Sequence, residues 1–314
     1  MESLKLSFDA IAPIFLLMLL GYFLKRLGVS DKKGFDTVNK LVFKVFLPVL
    51  LFYNIYSTKT AEVFDLKLIL FTITGVFAIF IMGYFAVFML THENSKRGVM
   101  LQGFFRTNFA ILGIPLVNYI CGENGMGLTS FMVAIIIPLF NVLAVVALER
   151  FREKSEGLNV LKLLKGVISN PLIIGCILGA IFFLADIRLP EVIEKSVSDI
   201  SKIATPLSII ALGAGFEFAS IKGCIKEIVT VVLARLVIIP LILIPVAVLL
   251  GFSGEALACI LITFAGPIAV SSFSMSQQMG GDEQLSAQTI VISSLLCLVT
   301  LFLWIFALNS LGLF

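Results

Sequence analysis

The chain has 314 residues, 59% of them hydrophobic and 14% charged, with a net charge of +3 and a mean hydropathy of +1.09. A soluble protein of this length carries far more charge, and the basic residues sit in short connections, where they read as topology signals and not as a nucleic-acid patch. Apolar runs of about 20 residues, enough to cross roughly 30 Å of hydrocarbon, recur from end to end and predict an all-α, polytopic membrane protein in a lipid bilayer.

The first seven residues hold one lysine, Lys5, and lead into an apolar run that ends at Lys25-Arg26 with no small-residue cleavage site, which predicts a retained first span. Spans are predicted near 8–24, 36–56, 66–90, 99–120, 127–148, 167–184, 203–218, 228–250, 256–279 and 286–309. The longest polar connection, from Glu149 to about Lys165, lies at the midpoint. The ten predicted transmembrane helices thus divide into a first unit, 1–155, and a second, 156–314.

Spacing relates these halves. Pro13 and Pro171, Gly21 and Gly179, and Pro48 and Pro206 each lie 158 residues apart, and the polar turns 122–125 and 280–283 keep the same shift. The ordered set predicts a duplicated five-helix unit. Five is odd, so the second copy enters the membrane from the opposite side, giving two inverted five-helix repeats. Lys25, Arg26, Lys32, Lys33, Lys96, Arg97, Arg150, Arg152, Lys154, Lys162, Lys165, Lys222 and Lys226 fall on one side, and Lys5, Lys59, Lys67, Arg188, Lys195 and Lys202 on the other. The positive-inside rule then places both termini outside the cytoplasm.

Two spans, one in each half, are interrupted by a proline near a glycine. The fourth reads Asn108-Phe109-Ala110-Ile111-Leu112-Gly113-Ile114-Pro115-Leu116, and the ninth Phe264-Ala265-Gly266-Pro267-Ile268. Proline frees backbone groups, which are tolerated at membrane depth only under cover of protein or a water-filled cavity. Paired interruptions in corresponding halves point to a transporter's substrate site. Pro115 and Pro267 are 152 residues apart, so they are counterparts by span and not by position.

Polar residues cluster beside both breaks. Arg106 lies about seven residues into the fourth span, roughly 10 Å at helical rise. It reads either as an anion-attracting residue or as a snorkelling arginine. The Asn108 amide suits a substrate carboxylate or a freed backbone group. Ser271, Ser272, Ser274, Ser276, Gln277 and Gln278 make the run-out of the ninth span polar, as cavity lining or as interhelical hydrogen bonds. Arg235 in the eighth span reads as snorkelling, as paired with Glu217 or Glu227, or as neutralising a substrate. Half-helix N-termini at the breaks favour an anion. The apolar cores of spans 3, 4, 5, 8, 9 and 10 hold no Asp or Glu, which disfavours a carboxylate proton relay or a carboxylate-rich sodium site. Cys121, Cys176, Cys224, Cys259 and Cys297 show no metal-ligand spacing and read as packing residues, so neither metal nor cofactor is expected.

The run Asn108-x4-Gly113-Ile114-Pro115-Leu116 resembles the auxin efflux carrier family, which includes plant carriers and bacterial organic-acid permeases. Gly266-Pro267 is similar to that family's second crossover, and Pro206-Leu207-Ser208 through Gly213-x-Gly215 to its seventh span. The resemblance covers essentially the whole chain. It implies broken helices 4 and 9 crossing beside the substrate, a scaffold of helices 1, 2, 6 and 7, and a moving unit of helices 3–5 and 8–10. It also implies a secondary transporter in the plasma membrane working by alternating access of the elevator type, with Asn108, Pro115 and Pro267 at the crossing. The long cytoplasmic loop of many plant members is missing, which favours small carboxylates such as malate or malonate over an auxin-like acid. A homodimer is compatible with this reading. The alternatives are a sodium-coupled symporter of the bile acid type and a non-transporting sensor. An enzyme is not expected: the single histidine, His92, lies in a loop, and neither a Gly-x-Ser-x-Gly nor a His-Glu-x-x-His run occurs.

Overall fold

The computed structural model describes residues 2–58, 65–121, 126–152, 160–217 and 223–314. The first polar turn of the repeat pattern, 122–125, and residues 153–159 of the midpoint connection fall outside the described residues. Every regular element described is helical: α1 Glu2–Arg26, α2 Lys32–Tyr56, α3 Leu66–Leu90, α4 Asn94–Phe105, α5 Phe109–Cys121, α6 Met126–Arg150, α7 Val160–Ile168, α8 Pro171–Leu184, α9 Glu191–Gly215, α10 Ile225–Leu249, α11 Gly254–Ala265, α12 Ser271–Met279 and α13 Glu283–Ser310. Among the described residues, six continuous stretches are long and apolar enough to cross a membrane: α2, α3, Leu128–Arg150 of α6, α9, α10 and α13. Large apolar side chains stand outward along the helices, among them Met82, Phe85, Met89, Leu184 and Leu249. A soluble monomer does not expose so much apolar surface, whereas lipid tails cover it without cost. The protein is a multi-pass membrane protein.

Local chemistry sets the helix ends. Asp65 accepts from Leu68 N (2.9 Å), Asn170 from Leu172 N (3.0 Å) and Asp282 from Leu285 N (2.9 Å), each satisfying an amide that has no intrahelical acceptor. Pro171 follows Asn170 at the first helical position, where its missing N–H costs nothing. Helix α9 begins at Glu191, earlier than the predicted start at 203. Its polar first turns are held by Glu191 and Glu194 at the positive helix end and by a Lys202–Asp199 ion pair, so apolarity alone misses them. Helices α2 and α10 each contain one widened π turn, Val42–Phe46 and Ala234–Ile238, and each turn ends two residues before a proline, Pro48 and Pro240. The proline removes one amide and crowds the preceding turn, and the wider turn relieves both.

Helices α1, α2, α8 and α9 pack through glycine at backbone contact. A Cβ on Gly21 would lie 2.0 Å from the Ile210 carbonyl oxygen, and one on Gly213 2.0 Å from that of Met18, so α1 and α9 touch main chain to main chain. On α8, a Cβ on Gly175 would lie 2.4 Å from the Pro48 oxygen and one on Gly179 2.8 Å from the Phe52 oxygen. Small residues allow such approach where lipid supplies no hydrophobic drive between helices. Gly21→Ala therefore forces α1 from α9 and should cost about 1–3 kcal/mol. Thermal unfolding in detergent should show a lowered midpoint for Gly21→Ala and none for Gly223→Ala, whose Cβ meets nothing within 4 Å.

Candidate functional site

Two non-helical segments, 106–108 between α4 and α5 and 266–270 between α11 and α12, meet in the protein interior. Gly266 has φ −70° and ψ 159°, the extended conformation that a following proline favours. Arg106 is extended too, with φ −87° and ψ 112°. Thr107 and Ile268 form an isolated antiparallel bridge. Asn108 N donates to the Pro267 carbonyl (2.9 Å), Thr107 Oγ1 donates to the carbonyls of Pro267 (3.1 Å) and Ile262 (3.3 Å), and Ile268 N donates to Ser293 Oγ (3.2 Å). A Cβ on Gly266 would lie 2.4 Å from Thr107 Oγ1, so glycine is what lets the segments touch. Each break supplies polar partners for the other, as burial in an apolar medium requires.

The first break lies earlier than the proline suggests. Pro115 is inside α5, exposed and away from the crossing, and the chain leaves helix at Arg106-Thr107-Asn108. The available sequence signal was three consecutive polar residues within an apolar span. Proline alone does not end this helix, whereas exchange of hydrogen bonds with the second break does. Pro267 lies where expected, at the second break.

A cavity of about 70 Å³ adjoins the crossing, room for roughly five waters at about 10–15 Å³ each. Arg106, Asn108 and Ser271 line it, with Asn54 of α2, Asn141 of α6 and Thr205 and Ser208 of α9. Arg106 is 3% exposed and does not snorkel: its Nη2 donates to Asn141 Oδ1 (2.8 Å) and Ser271 Oγ (2.8 Å), and Nη1 touches Met275 Sδ. Among the described residues no carboxylate pairs with it. The Asn108 side-chain amide nitrogen is buried and has no hydrogen-bond partner in the protein. Asn108 immediately precedes α5, and Ser271 opens α12, so two helix N-termini face one cavity. The partial positive charge of these two helix ends adds to that of the guanidinium.

Ser272 does not line the cavity. It is 1% exposed, its carbonyl accepts from Ser276 Oγ (2.8 Å), and its hydroxyl has no partner in the protein. Asn141 was missed in the sequence, where a single amide in the apolar fifth span, its Nδ2 bonded back to the Ile137 carbonyl (2.8 Å), was the only sign. Ser274, Ser276 and Gln277 of α12 act as interhelical links. Gln102 Nε2 donates to Ser276 Oγ (2.6 Å). Ser274 Oγ donates to Asn39 Oδ1, and Asn39 Nδ2 to Gln277 Oε1. Gln277 Nε2 in turn reaches Asp36 Oδ1 (2.9 Å) and Glu283 Oε2 (2.7 Å), and Lys32 pairs with Glu283 (2.9 Å). This clasp ties the Lys32 end of α2 to α12 and α13. Arg235 pairs with neither predicted partner, since Glu217 meets Lys25 (3.7 Å) and Glu227 meets Lys96 (3.3 Å); it is wholly buried behind the crossing.

The chain belongs to the membrane transport protein family, the auxin efflux carrier-like family, which matches residues 6–305. It is 27% identical over 301 residues to an uncharacterized transporter of Methanothermobacter thermautotrophicus, covering 95% of this chain and 97% of that one. It is 24% identical over 308 residues to the uncharacterized transporter YfdV of Escherichia coli K12, covering 94% and 95%. It is 23% identical over 302 residues, 92% of each chain, to a Rhizobium meliloti protein named "Putative malonate transporter". The clasp has a direct check. In a background with the native cysteines replaced, Asn39→Cys with Ser274→Cys should cross-link on mild oxidation or with a short thiol linker, read as a gel shift. No cross-link with either would contradict the α2–α12 contact.

Proposed function

We propose that this member of the membrane transport protein family is a secondary transporter of a small organic anion, bound at the crossing of its two broken helices. The observation that carries the reading is the cavity at the crossing. It gathers the Arg106 guanidinium, with no carboxylate partner among the described residues, the unpaired Asn108 amide and two helix N-termini. Arg106 neutralises and hydrogen-bonds a carboxylate, Asn108 donates to its second oxygen, and Ser271 adds a hydroxyl. Pro267 holds the backbone at the second break and does not touch the anion, and Pro115, inside α5, takes no part in the site. The small volume suits a malonate-sized carboxylate better than an aromatic acid, and one relative carries malonate in its name.

In this reading the chain crosses the plasma membrane ten times as two inverted repeats, 1–155 and 156–314. The glycine contacts support it. Gly21 meets Ile210 and Gly179 meets Phe52; Gly21 and Gly179 are 158 residues apart, and so are Phe52 and Ile210, the same shift that relates the prolines. Helices α1, α2, α8 and α9 form the scaffold, and the crossing helices move against it. With the basic loops inside, the Lys32 clasp closes the cytoplasmic side, and its release and re-formation accompany each transport cycle.

Proteoliposomes loaded against a panel of mono- and dicarboxylates test the proposal, with pH, sodium and voltage varied separately. Uptake of malonate or a similar small carboxylate is expected. Arg106→Gln should raise the apparent KM about 10- to 100-fold, the loss of a charged hydrogen bond, and most for dianions. Asn108→Ala should cut uptake about tenfold with little change in the melting midpoint. Folded protein that moves none of the panel, or variants that affect neutral and charged solutes alike, would overturn the reading and leave a sensor as the alternative.

A further inference from the structure

Arg235 takes no part in the cavity, yet it is the largest fully buried side chain, at 0% exposure. It sits in the π turn Ala234–Ile238 before Pro240, which turns it inward from α10. Its Nε donates to the Gly266 carbonyl (2.9 Å), Nη2 to Thr263 (2.7 Å), and Nη1 to Phe104 (3.2 Å) and Phe105 (3.3 Å). These four oxygens belong to the C-terminal ends of α4 and α11, the two half-helices that stop at the crossing. The last carbonyls of a helix have no intrahelical donor and carry partial negative charge. Among the described residues no carboxylate reaches the guanidinium, so its charge is balanced by carbonyl dipoles alone.

Two breaks bring two positive and two negative helix ends to one place, and uncompensated they would largely cancel. In broken-helix carriers the N-terminal ends face the anionic substrate, while freed carbonyls and C-terminal ends hold a coupling cation. We propose that Arg235 is a tethered cation. It fills the carbonyl cage of the two C-terminal ends, the place that a free coupling cation would otherwise take, so anion binding at the opposite ends needs no sodium. Arg235 is a positioning residue, acting on the anion through the helix ends that it neutralises and holds together. The sodium clause rests on the carrier reading above; the cage itself does not.

Purified Arg235→Ala separates the two. Guanidinium ion at low millimolar concentration, far below denaturing levels, should refill the cage and raise the melting midpoint of this variant by about 2–4 °C at ten times its dissociation constant. The wild type should not respond, and tetramethylammonium, which donates no hydrogen bond, should stabilise neither protein. A folded Arg235→Ala protein indifferent to guanidinium overturns the cage. Arg235→Lys keeps the charge but not the planar fork, and should fold with a lower midpoint that low-millimolar guanidinium leaves unchanged. A Lys variant as stable as the wild type overturns the requirement for the fork even if the alanine protein cannot be made. In native protein, replacing sodium by N-methylglucamine should leave malonate uptake within twofold, and a sodium requirement overturns the tethered-cation role. Absence of any carboxylate uptake would remove the transport reading and leave the guanidinium result standing.

Discussion

Backbone hydrogen bonds that cannot be left open inside an apolar medium govern this structure. Breaking two helices in the interior frees amides and carbonyls at four helix ends, and each orphan group costs several kcal/mol unless protein satisfies it. The Thr107–Ile268 bridge, the Thr107 hydroxyl and the Ser293 hydroxyl meet part of that demand, and Arg235 meets the carbonyl side. Once those groups are satisfied, the N-terminal ends of α5 and α12 are left beside a single cavity. The arrangement is polar in one direction: carbonyl ends are capped by a buried cation, and amide ends are left toward the space beside Arg106.

That asymmetry gives the crossing its net positive character without any exposed cluster of basic residues. Arg106 is anchored by Asn141 and Ser271, so its guanidinium is held in place before a ligand arrives. A preorganised charge pays less ordering entropy on binding than a mobile one. The clasp of Asn39, Ser274, Gln277, Asp36, Glu283 and Lys32 lies at the other end of α12 from Ser271. One short helix thus carries an N-terminus that lines the cavity and a set of contacts to α2.

Much of this was legible in the sequence. Hydropathy located the helical stretches because lipid exposure demands continuous apolar runs, and the repeat in Gly21/Gly179 marked residues that prove to be helix contacts. Arg106, Asn108 and Ser271 were readable because polar residues are costly there. Other features were not. Pro115 drew attention to the wrong turn of the fourth span, because a proline marks where a helix tolerates disruption and not where its partner pairs. Ser272 was indistinguishable from Ser271, since neighbouring residues in one helix point in different directions. Arg235 lay in view as a lone charge, but its partners are carbonyls, which have no signature in sequence. Asn39 and Gln277 are 238 residues apart, and nothing local to either announces the other.

Occupancy of the cavity at the crossing by a small carboxylate has a direct readout. Thr205 lines that cavity from α9. With the native cysteines replaced and Thr205→Cys introduced, the rate of alkylation by a small hydrophilic thiol reagent reports occupancy directly. Malonate or a similar small carboxylate should slow labelling in a saturable manner, and this protection should be lost in Arg106→Gln. Labelling at an unchanged rate across the whole carboxylate panel, in protein whose Thr205→Cys thiol reacts freely, would contradict it.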